Sequence, residues 1–188
     1  MRNHVIYIPG LGDVHDPGRR FALKTWLFYG VHAELVPMDW DDEKQYQPKY
    51  DRVVRAIESA KKCGKTVSIV ADSAGASLAL NVLADHPELN RVVLVCGVNS
   101  PDIDISEKIR QRDPALVESV KRLKDSLPRV DKSKIFNLVS HRDFVVEKKY
   151  SDIEGVRTHK VPFVGHIPTV SFCLTFYAWR ICRAVKSE

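Results

Sequence analysis

The sequence predicts a doubly wound α/β domain, and three observations lead to that class. Short apolar runs rich in β-branched residues alternate with longer amphipathic segments along the chain. This alternation is typical of a mostly parallel sheet, here of six strands, with helices on both faces in three αβα layers. Residues 66–80 pass from a buried strand into a helix with no room for a loop. The 188 residues suit a single domain with a sizeable core.

The composition is that of an ordinary globular protein, with 44% hydrophobic and 28% charged residues. The net charge is +5, but 24 acidic residues are interleaved with 29 basic ones. No dense Lys/Arg block with aromatic residues is present, so nucleic-acid binding is not expected, whereas a generic attraction to anionic surfaces stays open. The opening apolar run is too short for a signal peptide, and no apolar run could span a membrane. The cytoplasm is therefore the expected compartment.

The four cysteines form no C-x-x-C pair, which favours free buried thiols over a disulfide framework or a zinc site. They are Cys63, Cys96, Cys173 and Cys182. We expect neither a metal nor a cofactor.

The first strand, residues 4–8, is apolar throughout and ends in a glycine-rich turn at residues 9–13. Such a turn either cradles a phosphate or forms an oxyanion loop. Because G-x-G-x-x-G and G-x-x-x-x-G-K-[ST] are both absent, nucleotide binding is disfavoured.

The next elements alternate as the fold class requires. Residues 19–29 predict a helix that ends at Gly30, and residues 32–36 alternate as a near-edge strand does. An acidic loop over residues 37–43 has its carboxylates side by side, which favours a solvated loop over a metal site. Residues 46–63 predict the second helix.

The junction around Ser73 organises the rest of the chain. Residues 66–70 predict a buried strand, and a helix of small residues begins at Ala74. The tight turn requires small residues two positions before and after Ser73, and Ala71 and Gly75 satisfy this. The turn raises Ser73 above the carboxyl edge of the sheet, where it is either a nucleophile or a helix N-cap.

The second half continues the alternation with strands at residues 91–96, 134–140 and 155–161. The long, charged segment 97–130 predicts one or two amphipathic helices, which form either a small cap or an ordinary crossover. Residues 167–184 predict a final, unusually apolar helix. It is expected to pack on the sheet, and its remaining apolar surface suits a second copy of the chain or interfacial lipid.

The stretch A-D-S-A-G at residues 71–75 is similar to the G-x-S-x-G nucleophile elbow of the α/β-hydrolase superfamily, with Ala71 in place of the first glycine. S-H-R-D-F-V-V at residues 140–146 resembles the acid turn of that superfamily. V-G-H-I-P at residues 164–168 resembles its histidine loop. The resemblance covers nearly the whole chain and is closest to the compact, esterase- or lipase-like members with a minimal cap.

The resemblance implies a triad of Ser73, Asp143 and His166, in the chain order of this superfamily. It further implies that the backbone N–H groups of Leu11 and Ala74 form the oxyanion hole. Each of these residues follows a predicted strand, at the edge where ligands bind in such sheets.

Alternatives remain for two of the three triad positions. Asp102 and Asp104 follow the fourth strand and compete with Asp143 as the acid. His141 competes with His166 but precedes the acid in the chain.

The leading functional hypothesis is a serine hydrolase that cleaves a carboxylic ester of small or medium acyl group through an acyl-enzyme intermediate. The same triad serves thioesterases and amidases. A non-catalytic binding protein on this fold is the second class, and a nucleotide-binding protein is disfavoured.

Overall fold

The structure, a computed structural model, describes residues 3–12, 17–42 and 45–187. Six strands form its sheet: β1 Asn3–Ile8, β2 His32–Leu35, β3 Thr66–Asp72, β4 Val92–Val95, β5 Ile135–Arg142 and β6 Thr158–Val164. The helices are α1 Pro17–Thr25, α2 Tyr46–Lys62, α3 Gly75–Asp85, α4 Glu107–Arg112, α5 Pro114–Ser126, α6 Lys148–Ser151, α7 His166–Leu174 and α8 Ala178–Lys186. The strand order is β2-β1-β3-β4-β5-β6, and all neighbours are parallel.

Two hydrophobic layers enclose the sheet because the central strands are apolar on both faces. In β1, Ile6 and Ile8 pack with helices α2, α3 and α5, whereas Val5 and Tyr7 pack with helices α1, α7 and α8. This is the predicted three-layer αβα architecture, and the sheet is entirely rather than mostly parallel.

The chain departs from the prediction at its last helix, which we expected to be continuous over residues 167–184. It breaks into α7 and α8 because Thr175 leaves the helical region, with φ −110° and ψ −88°. The Thr175 hydroxyl donates to the Ser171 carbonyl at 2.8 Å. Such local side-chain bonds of threonine compete with the regular helical pattern.

Smaller differences concern the first helix and one thiol. The first helix begins at Pro17 and tightens into a 3₁₀ turn, Trp26–Tyr29, before Gly30 ends it with φ 73°. All four cysteines are free, as expected, but Cys63 is exposed rather than buried.

Segment 97–130 contains α4 and α5. The inner face of α5 packs through Leu116, Val120 and Leu123 into the core beside α2 and α3. The Ser119 hydroxyl meets that of Ser77 on α3 at 2.9 Å. A role for this segment as a cap stays a prediction.

Candidate active site

Ser73 lies in the turn between β3 and α3 with φ 48°, a backbone region that costs a non-glycine residue about 1–2 kcal/mol. Neighbouring strands hold it there. The Ser73 amide donates to the Val95 carbonyl at 3.1 Å, and the Ser73 carbonyl accepts from the Val98 amide at 2.9 Å. The backbone strain is therefore maintained by the sheet, as is common at functional positions.

The sequence predicted that Gly75 must be small because the strand and helix on either side of Ser73 nearly touch. The structure shows a different reason, namely the end of β1. A Cβ at Gly75 would lie 2.5 Å from the carbonyl oxygen of Ile8 and 2.9 Å from that of Pro9. Likewise, a Cβ at Gly10 would lie 2.6 Å from the Ser73 Cβ. The end of β1 and the turn around Ser73 are thus packed directly against each other.

The two residues predicted to supply backbone donors are Leu11, in the loop after β1, and Ala74, which directly follows Ser73. Leu11 lines the same cavity as Ser73, and Ala74 is the N-cap residue of α3. Within the described parts of the chain, neither amide donates a hydrogen bond. Trp40 supports the loop because its indole Nε1 donates to the Pro9 carbonyl at 2.9 Å. The role of these two amides as an oxyanion hole stays a prediction.

His166 and Asp143 form a hydrogen-bonded pair. The Asp143 Oδ2 lies 2.8 Å from the His166 Nδ1, and the two side chains are only 7% and 8% exposed. The Asp143 Oδ1 accepts from the amides of Val145 and Val146 at 2.8 and 3.0 Å. Burial opposes ionisation of Asp143, but these hydrogen bonds outweigh it and lower the pKa of the carboxyl below its ordinary value.

The alternatives to this pair lie elsewhere. His141, Asp102 and Asp104 are exposed, and Asp104 pairs with Arg110. His141 and Asp143 are only two residues apart, yet their side chains have different surroundings. The pairing of β5 with β6 is irregular at this point, between Ser140 and Arg142. Because a bulge turns successive side chains to new directions, His141 points to solvent while Asp143 reaches His166.

Sequence reasoning missed the environment of Asp72, the residue before Ser73. Its carboxylate is buried and accepts hydrogen bonds from the Tyr7 hydroxyl and, at 2.6 Å, from the Gly10 amide. Arg19 of α1 lies 3.5 Å away. Burial raises the pKa of Asp72, and Arg19, Tyr7 and the Gly10 amide limit that rise. The only sequence signal was a carboxylate inside an otherwise apolar run.

Cys96 was also missed. This buried thiol follows β4 with φ 49°. Burial and the neighbouring Asp143 carboxylate raise its pKa. Within the described residues, Cys96, Asp143 and His166 are the one group of three possible metal ligands within 4.8 Å of one another.

A cavity of about 470 Å³ contains both Ser73 and His166 in its wall. Most of its wall is apolar, and its apolar members come from the loops after β1 and β5, from α1 and from α7. They include Leu11, Ala22, Val145, Ile167, Val170 and Leu174. This volume lies in the range of sites for small molecules, and its lining suits an apolar group.

No protein-family model matches the chain, and no curated protein sequence does. Solved structures do. One of the metagenome-derived lipolytic enzymes LipS and LipT has a TM-score of 0.70 at 12% identity, covering 97% of this chain and 91% of the other. Carboxyl esterase 2 of the fungus Tuber melanosporum has a TM-score of 0.69 at 14% identity, covering 97% and 78%.

The ydeN gene product of B. subtilis has a TM-score of 0.67 at 16% identity, and the match covers 99% of this chain and 100% of the other. At such identities the likeness concerns the fold. Together with the six-stranded parallel sheet and its strand order, these similarities show that the chain has the α/β-hydrolase fold.

Proposed function

We propose that this protein is a serine hydrolase that cleaves carboxylic esters of small or medium acyl group. The observation that carries the proposal is that His166, hydrogen-bonded to Asp143 at 2.8 Å, lines the same cavity as the strained Ser73. The similarity in fold to lipolytic enzymes and esterases supports it.

The proposed reaction follows from these groups. Asp143 accepts a hydrogen bond from the Nδ1–H group of His166, which keeps the proton on Nδ1 and leaves the Nε2 atom free to take the Ser73 proton during attack on the ester carbonyl. The amides of Leu11 and Ala74 stabilise the oxyanion, and each such donor is typically worth roughly 2.7–4 kcal/mol. His166 then protonates the leaving alcohol. Water, activated by the same imidazole, releases the acid from Ser73.

The cavity favours an apolar acyl group of limited length, because its wall is mainly aliphatic and its volume is about 470 Å³. Thioesters and amides pass through the same tetrahedral geometry. A comparison of esters, thioesters and amides that share one acyl group ranks these classes.

Labelling with a fluorophosphonate, followed by intact mass, tests the proposal. We expect one adduct on the wild type and none on Ser73→Ala, because only an activated serine reacts with this probe. His166→Gln should also abolish labelling, whereas His141→Gln, at an exposed position, should not.

Folded wild-type protein that takes no adduct would overturn the proposal and favour a non-catalytic binding role. With an adduct in hand, a series of p-nitrophenyl esters of increasing acyl length defines the preferred substrate.

A further inference from the structure

Positive charge is concentrated in two segments of the chain. Residues 17–33 and 155–187 hold eight of the 29 Lys and Arg residues and no Asp or Glu. The rest of the chain holds 21 basic and 24 acidic residues, so its net charge is negative. Helices α1, α7 and α8 come from the two basic segments and pack on the same side of the sheet. Apart from Arg19, which pairs with Asp72, these helices carry five basic residues and no acidic one, so their layer is basic. The five are Arg20, Lys24, Arg180, Arg183 and Lys186.

The same side of the molecule carries the exposed apolar side chains. Across the described residues, every exposed large hydrophobic side chain falls within 21–29, 144–145 or 163–179. We define the basic apolar face as the outward surface of α1, α7, α8 and the 3₁₀ turn. Its apolar members are Phe21, Leu27, Phe28, Ile167, Phe176 and Trp179. Phe28 is 90% exposed and Phe176 is 80% exposed, so neither is explained by packing within the chain.

This face is continuous with the cavity that contains Ser73. Ile167 is 74% exposed, yet it also lines the cavity, and Ala22 and Val170 of the same layer line it too. A molecule that approaches the face therefore meets the cavity between α1 and α7.

Three arginines add a site for anions on this side. Arg91, Arg180 and Arg183 line a second cavity of about 560 Å³ together with Trp179. Arginine binds phosphate well because its planar guanidinium offers several donors, and tryptophan favours the boundary between water and lipid.

We propose that the basic apolar face docks on an anionic phospholipid surface. The pairing of basic residues with projecting Phe, Leu, Ile and Trp side chains is typical of elements that lie in the lipid interface. A second copy of the chain fits less well, because a symmetric contact would bring two basic faces together. Docking does not require a spanning segment, and within the described residues no helix is long and apolar enough to cross a bilayer.

Docking in this orientation gives the cavity a source of substrate. An ester dissolved in the lipid would reach Ser73 through the opening beside Ile167 without passing through bulk water. This consequence, unlike the docking itself, rests on the proposed hydrolase function.

The docking is tested by co-sedimentation with vesicles, using Ser73→Ala so that catalysis plays no part. We expect the protein to sediment with phosphatidylcholine vesicles containing about one-third phosphatidylserine, and not with pure phosphatidylcholine. Arg20→Glu/Arg183→Glu should weaken binding at least about tenfold. Lys121→Glu/Lys124→Glu, an equal charge change at exposed positions of α5, should leave it unchanged.

A second pair of variants tests the apolar contribution. Phe28→Ser/Phe176→Ser should also reduce binding to the mixed vesicles, and circular dichroism should report an intact fold because both side chains are exposed. Three results would overturn the proposal: no binding at low salt, equal loss of binding in the α5 variant, or binding unaffected by the Phe28/Phe176 change. A dimer that dissociates in the Phe28/Phe176 variant would replace lipid with a second copy as the occupant. Fluorophosphonate labelling decides the hydrolase proposal separately.

Discussion

Asp72 directly precedes Ser73 in the chain and is hydrogen-bonded to the loop after β1. Its carboxylate holds the Gly10 amide at 2.6 Å, so the loop that carries Leu11 is fixed relative to the Ser73 side chain. The Tyr7 hydroxyl and Arg19 complete its surroundings. Under the proposed hydrolase function, Asp72 would position the loop that carries Leu11.

Replacing Asp72 with Asn should lower both stability and activity. The amide oxygen can still accept from Gly10, but the ion pair between Asp72 and Arg19 is lost in a nearly buried site, at a cost of roughly 3 kcal/mol. Thermal unfolding and ester hydrolysis measure the two effects, and we expect kcat to fall more than KM rises.

Asp102→Asn is the matched control for this change. Asp102 is exposed, and it was one of the two alternative acids in the sequence, with Asp104, so the substitution should leave both measurements unchanged. A wild-type melting temperature in Asp72→Asn would show that the pair with Arg19 contributes little.

The sequence predicts some of these residues and not others, for a physical reason. Ser73, Asp143 and His166 each follow a strand, and the edge of a parallel sheet brings such positions together. Asp72 and Cys96 depend on contacts with other strands, namely with Tyr7 on β1 and with Asp143 after β5. Local sequence does not specify these contacts.

At the scale of elements, the turn between β3 and α3 depends on the end of β1. Gly75→Ala would place a Cβ 2.5 Å from the Ile8 carbonyl oxygen. Since backbone atoms cannot move aside as a flexible side chain can, we expect a loss of about 2 kcal/mol of stability. The displaced loop should also slow labelling of Ser73.

Ala71→Gly serves as the matched change on the other side of the turn. It restores the G-x-S-x-G pattern at a buried strand position and should cost only about 1 kcal/mol, with labelling retained. If Gly75→Ala labels as fast as the wild type, the contact with β1 does not control the site. Chemical denaturation and the rate of labelling provide the two measurements.

Element boundaries illustrate what periodicity can and cannot predict. The six strands lie where apolar runs predicted them, but β6 begins at Thr158 rather than at residue 155. The break between α7 and α8 was not predicted because the apolar pattern continues through it. The helix α7 ends where the backbone of Thr175 leaves the helical region, which hydrophobic periodicity does not indicate.

At the scale of the whole molecule, we expect the free energy of unfolding to depend on pH. The groups responsible include histidines at the end of the sheet opposite Ser73. His4 and His32 stack there with ring centroids 4.8 Å apart. Burial, His32 and Lys65 lower the pKa of His4 below 6.5, although Glu34 opposes the shift. The unfolded chain therefore binds more protons near this pH than the folded chain, and stability is lost as the pH falls below 6.5.

Urea unfolding on either side of pH 6.5 measures this loss. His4→Gln should flatten the dependence in part. His159, whose pKa is lowered by burial and by Arg157 and Arg180, contributes in the same direction. His141→Gln, at an exposed position, is the control, and a steep dependence that survives His4→Gln would contradict this account.

The distribution of charge between the two helical layers is a property that local sequence patterns do not predict. Alternation along the chain predicts the fold class, but the charge asymmetry between the layers appears only once α1, α7 and α8 are known to share a side. In the sequence their basic residues are separated by more than a hundred positions and look evenly mixed.

The positive φ of Ser73 affects which residue natural selection would favour at this position. Glycine would adopt φ 48° without strain, so selection for stability alone would favour glycine there. If the hydroxyl of Ser73 is the proposed nucleophile, hydrolysis favours this serine despite its backbone strain. A descendant freed from that demand should exchange Ser73 for glycine early, before the apolar core of the sheet begins to change.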